Sequence, residues 1–328
     1  MIIEKQLNEL NNIPPKCNKK KAPRSINPNL PALYHCFLLV GSKNSGKSYT
    51  LVKHLKNYEE FPIKNCDNET IPVRIILFCP TSDSPYNPIL KTLKDLHEDD
   101  IFSEYSDKKL QAVLDDIEAV KEECEERQEY IKIYKKVVKL KNLNKLDKDE
   151  LEILERNIYN SPEDLPPLRY KFHTANWIIF DNMIGHPQIF KKNGSDLVTK
   201  LTIKHRHKQI SLIYTTQYLK AINPTIRKNI DLLSIFKMGD LKEVQDKIYP
   251  EVSGYISSSM FMDMYKHATE EPRNCLTIDI HPDTKPTHHF RKNLDVLLLN
   301  EEIIDKNKMF AKNSNDENKT IEKGSSKK

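Results

Sequence analysis

Residues 35–48 read HCFLLVGSKNSGKS, and the expected fold follows from this stretch. Residues 35–41 form an apolar run that ends in glycine, which is typical of a buried strand. Gly41 to Ser48 fit the pattern GxxxxGK[ST], in which backbone N–H groups and a helix N-terminus surround phosphate oxygens. We expect that helix over residues 47–57. The stretch therefore predicts a phosphate-binding loop between a strand and a helix.

The residue types in this loop are those that bind a nucleoside triphosphate. Gly41 and Gly46 permit a close approach of the backbone that a Cβ would block. Lys47 is predicted to reach the β- and γ-phosphates, and the Ser48 hydroxyl to hold Mg²⁺. The predicted ligands are ATP and Mg²⁺. The predicted nucleotide-binding residues are Gly41, Ser42, Lys43, Asn44, Ser45, Gly46, Lys47, Ser48 and Tyr49.

A second set of candidate residues follows two later apolar runs. In residues 177–181, WIIFD, a predicted strand delivers Asp181 to the sheet edge where ligands bind, and Asp181 is expected to complete the Mg²⁺ site. The next residue is Asn182, which does not accept a proton as a carboxylate does, so no residue is assigned to activate water. Gln217 follows the run ISLIYTT and is predicted to contact the γ-phosphate; the alternative is a polar residue that merely begins a loop.

Basic residues flank the strand predicted at 210–216. Residues 204–208 read KHRHK, and Arg227 and Lys228 follow further on. Three interpretations stay open: an arginine (Arg206 or Arg227) that enters a neighbouring subunit's site, a surface that follows DNA phosphates, or a solvated helix end. The two histidines in this cluster lack a third ligand, so a metal site is rejected.

Short apolar runs recur along the chain, alternating with helical patterns. This alternation predicts an α/β fold with a mainly parallel sheet covered on both faces. We expect a helix at 194–206. Besides the first strand, strands are predicted at 72–79, 175–181, 210–216, 231–237 and 274–280.

A long helical insertion is predicted at 103–160. Residues at 3-4-3-4 spacing predict a helix of about 35 residues, roughly 50 Å long. A second helix is expected at 147–159, and a helical hairpin within one chain is preferred to a coiled coil between subunits. The predicted stripe comprises Leu110, Val113, Ile117, Val120, Cys124, Arg127, Ile131, Tyr134 and Val138.

Composition limits the remaining possibilities. The chain has 328 residues, 38% of them hydrophobic, so part of it should lie outside a core. We expect a disordered basic arm at 1–30, with phosphate contact as the alternative, a domain at 31–300 and a disordered tail at 301–328. The net charge of +5 is compatible with nucleic acid, and six scattered cysteines indicate a reducing compartment. The sequence predicts neither a membrane span nor secretion.

Taken together, GSKNSGKS, WIIFDNM, KHRHKQISLIYTTQ and INPTIRKNIDLLSIFK resemble the poxvirus-type genome-packaging ATPases of large nucleocytoplasmic DNA viruses. That family belongs to the FtsK/HerA-like branch of P-loop motors, and the resemblance covers about residues 33–240 without the insertion. It implies a RecA-like P-loop NTPase fold. By motif matching it assigns Lys47 and Ser48 to phosphate and Mg²⁺, Asp181 to Mg²⁺, Gln217 to sensing, and Arg206 or Arg227 to a neighbouring site. Asn182 and the long insertion depart from the family pattern.

The resemblance also implies a function. The family members are ring-forming motors that hydrolyse Mg-ATP at subunit interfaces and move double-stranded DNA into a preformed capsid. Expected partners are therefore double-stranded DNA, further copies of the chain, and capsid or virion-assembly proteins, in the host cytoplasm (the viral factory) or in the virion. Two alternatives remain: a nucleotide-gated scaffold without hydrolysis, and a small-molecule kinase.

Overall fold

The computed structural model describes residues 23, 25–27, 29–65, 68–80, 92–140, 146–157, 160–170, 173–183, 189, 195–219, 222–281, 284–299 and 303–304. Within them the strands are β1 (Cys36–Val40), β2 (Val73–Phe78), β3 (Leu96–Phe102), β4 (Ala175–Phe180), β5 (Ile210–Thr216), β6 (Leu232–Phe236), β7 (Cys275–Asp279), β8 (Phe290–Lys292) and β9 (Val296–Leu297). The helices are α1 (Lys47–Glu60), α2 (Asp107–Leu140), α3 (Lys148–Arg156), α4 (Leu197–Lys204), α5 (Pro224–Arg227), α6 (Leu241–Glu243), α7 (Tyr249–Val252) and α8 (Ser258–Ala268). A π-helical segment, Val244–Ile248, joins α6 to α7, and Pro286–His288 form a 3₁₀ turn.

The strands of the described ranges form one sheet in the order β3-β2-β4-β5-β1-β6-β7-β8-β9. From β3 to β6 neighbouring strands are parallel, and from β6 to β9 they are antiparallel. The predicted α/β fold with a mainly parallel sheet is therefore confirmed. The strand predicted at 274–280 is β7, and it runs antiparallel to its neighbours β6 and β8.

Both faces of the sheet are covered, so the central strands are apolar at successive positions rather than at alternate ones. All five residues of β1 are buried. Phe37 and Leu39 pack on one face with Leu51 and Leu55 of α1. Leu38 and its neighbours on the other face pack against α2, α4 and α8. This two-sided burial holds β1, and with it the loop that follows, in a fixed position.

The edge strand β3 was not predicted, because its sequence LHEDDIF lacks an apolar run. Glu98 and Asp99 are exposed on it. Charged residues are common on edge strands, since they oppose pairing with another sheet. Helix α8 was not predicted either.

The insertion forms the predicted helical hairpin. Helix α2 has 34 residues and begins on the sheet, where Leu110, Val113 and Ile117 are buried. Its distal half forms a separate small core with α3, through Tyr130 and Leu154 among others.

The predicted stripe is wrong at the distal end of α2. Val138, which the pattern predicts to be buried, is 58% exposed. The buried residues in this part of the helix are Tyr130 and Ile133, whereas the pattern predicts Ile131. A straight α-helix turns about 20° per heptad away from a 3.5-residue repeat, so the face that contacts the protein shifts along a helix of this length.

Segments near both ends contact the sheet domain. Ser25 forms a bridge to Ile63, and Arg291 donates to the Asn29 carbonyl at 2.9 Å. Ile303 is 2% exposed. Residues 1–22 of the predicted arm and 305–328 of the predicted tail lie outside the described residues. Across the described ranges, no helix combines the length and apolarity of a membrane span.

Candidate nucleotide site

The loop at residues 41–46 leaves β1 at the carboxyl edge of the parallel strands. Strands β1 and β5 are in register through Val40 and Thr216, and the Gly41 N–H donates to the Thr216 carbonyl at 3.1 Å. Asn44 and Gly46 have positive φ values of 61° and 105°. The chain therefore curls over the end of β1 before helix α1 begins.

Both glycines of the motif are required by space or by conformation. A Cβ on Gly41 would lie 2.6 Å from the Phe236 Cβ and 2.6 Å from the Ser45 Oγ. Gly46 has a left-handed backbone, and its Cβ would lie 3.1 Å from the Arg273 carbonyl oxygen. The loop thus packs against the end of β6 and against the turn that contains Arg273.

The N-terminus of α1 has the properties of an anion site. Gly46 is its N-cap, no side chain caps it, and no acid lies in its first turn. The Ser45 Oγ is buried and has no hydrogen-bond partner within the described part of the chain. Free N–H groups and the helix dipole favour negative charge here. These features fit the phosphates of a nucleotide.

Lys47 is directed back onto the loop. Its side chain is buried, and its Nζ donates to the carbonyls of Gly41 and Ser42 at 2.7 and 2.8 Å. Burial lowers the pKa of Lys47, while the nearby Asp181 carboxylate partly opposes that shift. The ammonium and the carboxylate are therefore close enough to interact.

Asp181 directly follows β4 and is held on several sides. Its N–H donates to the Phe78 carbonyl at 2.9 Å. Its Oδ1 accepts from the Thr215 hydroxyl, and its Oδ2 accepts from the Cys79 thiol at 3.5 Å. The Thr215 Oγ1 in turn accepts from the Asn182 N–H at 3.0 Å. The carboxylate is thus buried and fixed in orientation before any ligand arrives.

The donor set suits magnesium. Mg²⁺ is commonly held by one or two protein oxygens together with water and substrate phosphates. The Ser48 hydroxyl, at the start of α1, and the Asp181 carboxylate are such oxygens. Among the residues that the structure describes, no cluster of three or more His, Cys, Asp or Glu side chains could hold a metal by itself.

Gln217 lies at the same edge as the loop. It follows Thr216, whose hydroxyl accepts from the Tyr218 N–H at 3.0 Å and donates to the Tyr218 carbonyl at 2.9 Å. This closed turn leaves the Gln217 side chain exposed. Also exposed at this edge are Ser42, Lys43 and Asn44 of the loop and Tyr49 of α1.

The two candidate arginines lie at the opposite end of the strands. Arg206 precedes β5 and forms an ion pair with Asp231, which precedes β6. Arg227 ends helix α5, also before β6, and its Nε is buried without a partner in the described ranges. Strand β1 has five residues, so about 16 Å of sheet separates this edge from the loop. Neither arginine approaches the loop of its own chain.

Four residues at the site were not foreseen. Thr215 and Cys79 orient Asp181, Phe236 supports the loop, and Arg273 packs beside it. Thr215 lies next to Asp181 because Phe180 and Tyr214 are in register. The threonine hydroxyls at the end of the run ISLIYTT were the only sign in the sequence of this role. That Thr215 meets Asp181 depends on β4 and β5 being neighbours, which the sequence pattern does not show.

No protein-family model matches the chain, and no curated protein matches it in sequence. Its fold is similar to that of solved structures at low identity. The genome packaging NTPase B204 of Sulfolobus turreted icosahedral virus 2, in complex with AMPPCP, is 14% identical with a TM-score of 0.42, over 81% of this chain and 99% of that one. EssC (ATPases 2 and 3) of Geobacillus thermodenitrificans is 16% identical with a TM-score of 0.40, over 84% and 43%. The cytoplasmic domain of the type VII secretion ATPase EccC of Thermomonospora curvata is 10% identical with a TM-score of 0.36, over 81% and 24%.

Proposed function

We propose that this chain binds Mg-ATP in the loop at residues 41–48 and hydrolyses it to move double-stranded DNA. The observation that supports this most directly is the uncapped N-terminus of α1, which lies under a glycine loop beside both Lys47 and the buried carboxylate of Asp181. Few other ligands need a donor-rich loop, a buried ammonium and a carboxylate together. Packaging of a viral genome into a preformed capsid follows from the sequence resemblance.

The proposed chemistry begins with an exchange of hydrogen bonds. Lys47 leaves the carbonyls of Gly41 and Ser42 and contacts the β- and γ-phosphates. Ser48 and Asp181 would hold a magnesium ion, which would neutralise charge that develops on the phosphates. Thr215 and Cys79 keep the Asp181 carboxylate aimed at that position, and Gln217 senses the γ-phosphate.

Asn182 is not the residue that activates water. Its φ of 52° is left-handed, a conformation that Asn tolerates better than most residues with a Cβ. A glutamate there would be strained. Asn182 therefore suits the conformation at this position, and activation of water is not assigned to it.

We further propose that the active unit is a homo-oligomeric ring in which an arginine acts on the neighbouring subunit's nucleotide. Arg227 is the better candidate, because Arg206 is already paired with Asp231. Capsid or virion-assembly proteins are the further proposed partners, and the host cytoplasm or the virion is the proposed location.

Hydrolysis of ATP, measured with and without duplex DNA, tests the main proposal. We expect duplex DNA to stimulate hydrolysis and Lys47→Ala to abolish it. Lys56→Ala is the matched control, because Lys56 is exposed on the same helix. Equal rates with and without DNA would reject the translocase, and loss of activity in both lysine variants would point to damage of the helix instead.

Mixing two inactive variants tests the arginine. Lys47→Ala protomers lack a working loop, and Arg227→Ala protomers lack the proposed arginine. Mixed rings contain interfaces with an intact loop from one protomer and an intact Arg227 from its neighbour, so mixing should restore hydrolysis. Mixtures that stay inactive would exclude Arg227 from this role.

A nucleotide-gated scaffold is the second candidate, and Asn182 favours it. Its amide cannot take the proton of the attacking water. The scaffold predicts tight ATP binding with no turnover, even with DNA and partner proteins present. Any turnover that Lys47→Ala removes would reject it.

A further inference from the structure

The turn at residues 271–274 lies beside the nucleotide loop because β7 is antiparallel. The first residue of β7, Cys275, pairs with Phe236, the last residue of β6. The segment that enters β7 therefore begins at the edge where the parallel strands end. Sequence patterns assigned no role to this turn.

Arg273 lies beside the loop. A Cβ on Gly46 would lie 3.1 Å from the Arg273 carbonyl oxygen and 3.2 Å from its Cβ. Gly46 is the N-cap of α1, where the phosphates of a bound nucleotide are expected. The Cβ of Arg273 thus lies close to the N-cap residue of the helix at which the phosphates are proposed to bind.

The backbone of Arg273 is strained. Its φ is 68°, and it follows Pro272 in a turn closed by the Asn274 N–H and the Glu271 carbonyl at 3.3 Å. Glycine or asparagine is usual at such a position. A long charged residue that holds a left-handed backbone is frequently found at functional sites.

Neighbouring side chains fix this turn. Asn274 donates to the Glu271 carboxylate at 2.6 Å, and Asn293 donates to the Asn274 Oδ1 at 3.0 Å. The Cys275 N–H donates to the Asn293 Oδ1 at 3.1 Å. Arg273 itself is exposed, and within the described residues its guanidinium forms no hydrogen bond or ion pair. The backbone of the turn is thus held in place by hydrogen bonds, while the charged guanidinium of Arg273 extends from it without a counter-charge in the described part of the chain.

We propose that Arg273 binds the phosphates of a nucleotide held in the loop of the same chain. This proposal rests on the proposed function of the loop. A guanidinium suits phosphate oxygens because its planar donors pair with two of them at once. Arg273 would act in cis, unlike Arg206 and Arg227, which lie at the far edge of the sheet.

Binding of ATP to Arg273→Asn tests the proposal, because asparagine accepts the left-handed backbone and removes the charge. We expect a Kd about tenfold weaker or more, as is typical for loss of a charge-assisted hydrogen bond. Arg273→Lys should recover part of the affinity. The loss should be larger for ATP than for AMP and equal for ATP and GTP, since phosphates and not the base are contacted.

Arg156→Ala is the matched control, because it removes an exposed arginine from the distant helix α3. It should bind ATP as the unchanged protein does, and thermal unfolding of all variants should show an intact fold. Unchanged affinity in Arg273→Asn, with binding lost in Lys47→Ala, would overturn the role of Arg273 and leave the proposed function standing. A loss for ATP that is absent for GTP would also overturn it. If the unchanged protein fails to bind ATP, both proposals fall.

Discussion

At the scale of single residues, Thr215 links the proposed magnesium carboxylate to the turn that follows it. Its hydroxyl donates to Asp181 and accepts from the Asn182 N–H. One oxygen therefore orients a buried carboxylate and also holds the turn that follows it. Its hydrogen bond to Asp181 is strengthened because the carboxylate is shielded from water.

Thr215→Val should destabilise the fold and weaken binding of Mg-ATP. Valine keeps the shape but leaves the Asn182 N–H without its acceptor, so we expect a loss of about 1–2 kcal/mol in the free energy of unfolding. Urea unfolding and ATP binding with and without Mg²⁺ measure the two effects. Thr225→Val, on helix α5, is the control. An unchanged Mg²⁺ dependence in Thr215→Val would show that Thr215 does not orient the carboxylate.

Gly41→Ala should disrupt the loop. Its Cβ would lie 2.6 Å from the Phe236 Cβ, so the strand end or the loop must move, at about 1–3 kcal/mol of unfolding free energy. Nucleotide affinity should fall with it. Gly239→Ala is the matched control, since a Cβ there would meet no atom within 4 Å. Equal melting temperatures for the two variants would contradict the packing described here.

The sequence predicts some of these residues and not others for a physical reason. Lys47, Asp181 and Gln217 each follow a strand pattern, so their placement at one edge follows from parallel strands. Thr215 and Arg273 act through neighbours that are distant in sequence. Their roles depend on strand order, register and the direction of β7, which the apolar pattern of a strand does not contain.

At the scale of elements, a buried ion cluster holds helix α2 to the sheet. Arg74 of β2 donates to both oxygens of Asp100 on β3, at 3.0 and 2.7 Å, and to Asp116 of α2 at 2.5 Å. The side chains of Arg74 and Asp100 are 4% and 3% exposed. Arg169 lies 3.7 Å from Asp100, but it is 45% exposed. The base of α2 is thus attached through one buried guanidinium.

Arg74→Met should destabilise the protein strongly. It leaves the buried Asp100 carboxylate with only the half-exposed Arg169 at 3.7 Å, and loss of a buried partner has an effect of about 3–5 kcal/mol. Arg169→Met is the control, and its effect should stay below about 1 kcal/mol because exposed pairs contribute little. Denaturant unfolding measures both, and adding Asp100→Leu to Arg74→Met should recover stability. A double variant as unstable as the single one would contradict this explanation.

Element prediction succeeded where apolar residues recur at a clear period. The strands β1, β2, β4, β5, β6 and β7 and the hairpin of α2 and α3 were all predicted. The acidic edge strand β3 was not, since it is stabilised by pairing on one side rather than by burial. The distal stripe of α2 was misplaced because an intact α-helix does not keep a heptad repeat without supercoiling.

At the scale of the whole molecule, the fold buries several histidines near the start of the parallel strands. His35, His54, His205 and His289 are each at most 4% exposed, and the Nε2 atoms of His35 and His54 lie 3.2 Å apart. Burial lowers the pKa of all four, and hydrogen bonds to backbone carbonyls partly oppose this for His35, His205 and His289. The folded state therefore favours their neutral forms.

Acid should destabilise the fold in a range set by these histidines. In the unfolded chain they take up protons near their ordinary pKa of about 6.5, whereas the folded state resists protonation. The free energy of unfolding is thus not reduced by these histidines above that pH, and it falls as the pH drops below it. Urea unfolding at pH 7.5 and at pH 5.5 measures the loss, which His54→Phe should reduce and the exposed His207→Gln should not. Equal stability at both pH values would contradict this prediction.

The continuity of α2 beyond its attachment has a mechanical consequence. From Asp116 to Leu140 the helix advances 24 residues, or about 36 Å at its usual rise. A tilt of about 5° at the Arg74 cluster therefore displaces the far end by about 3 Å. Strand β2, which carries Arg74, ends beside β4 at the pair Phe78 and Phe180, one residue before Asp181. The hairpin is in effect a lever arm whose pivot, Arg74, lies on the strand next to β4 and pairs with Asn176, five residues before the proposed magnesium carboxylate.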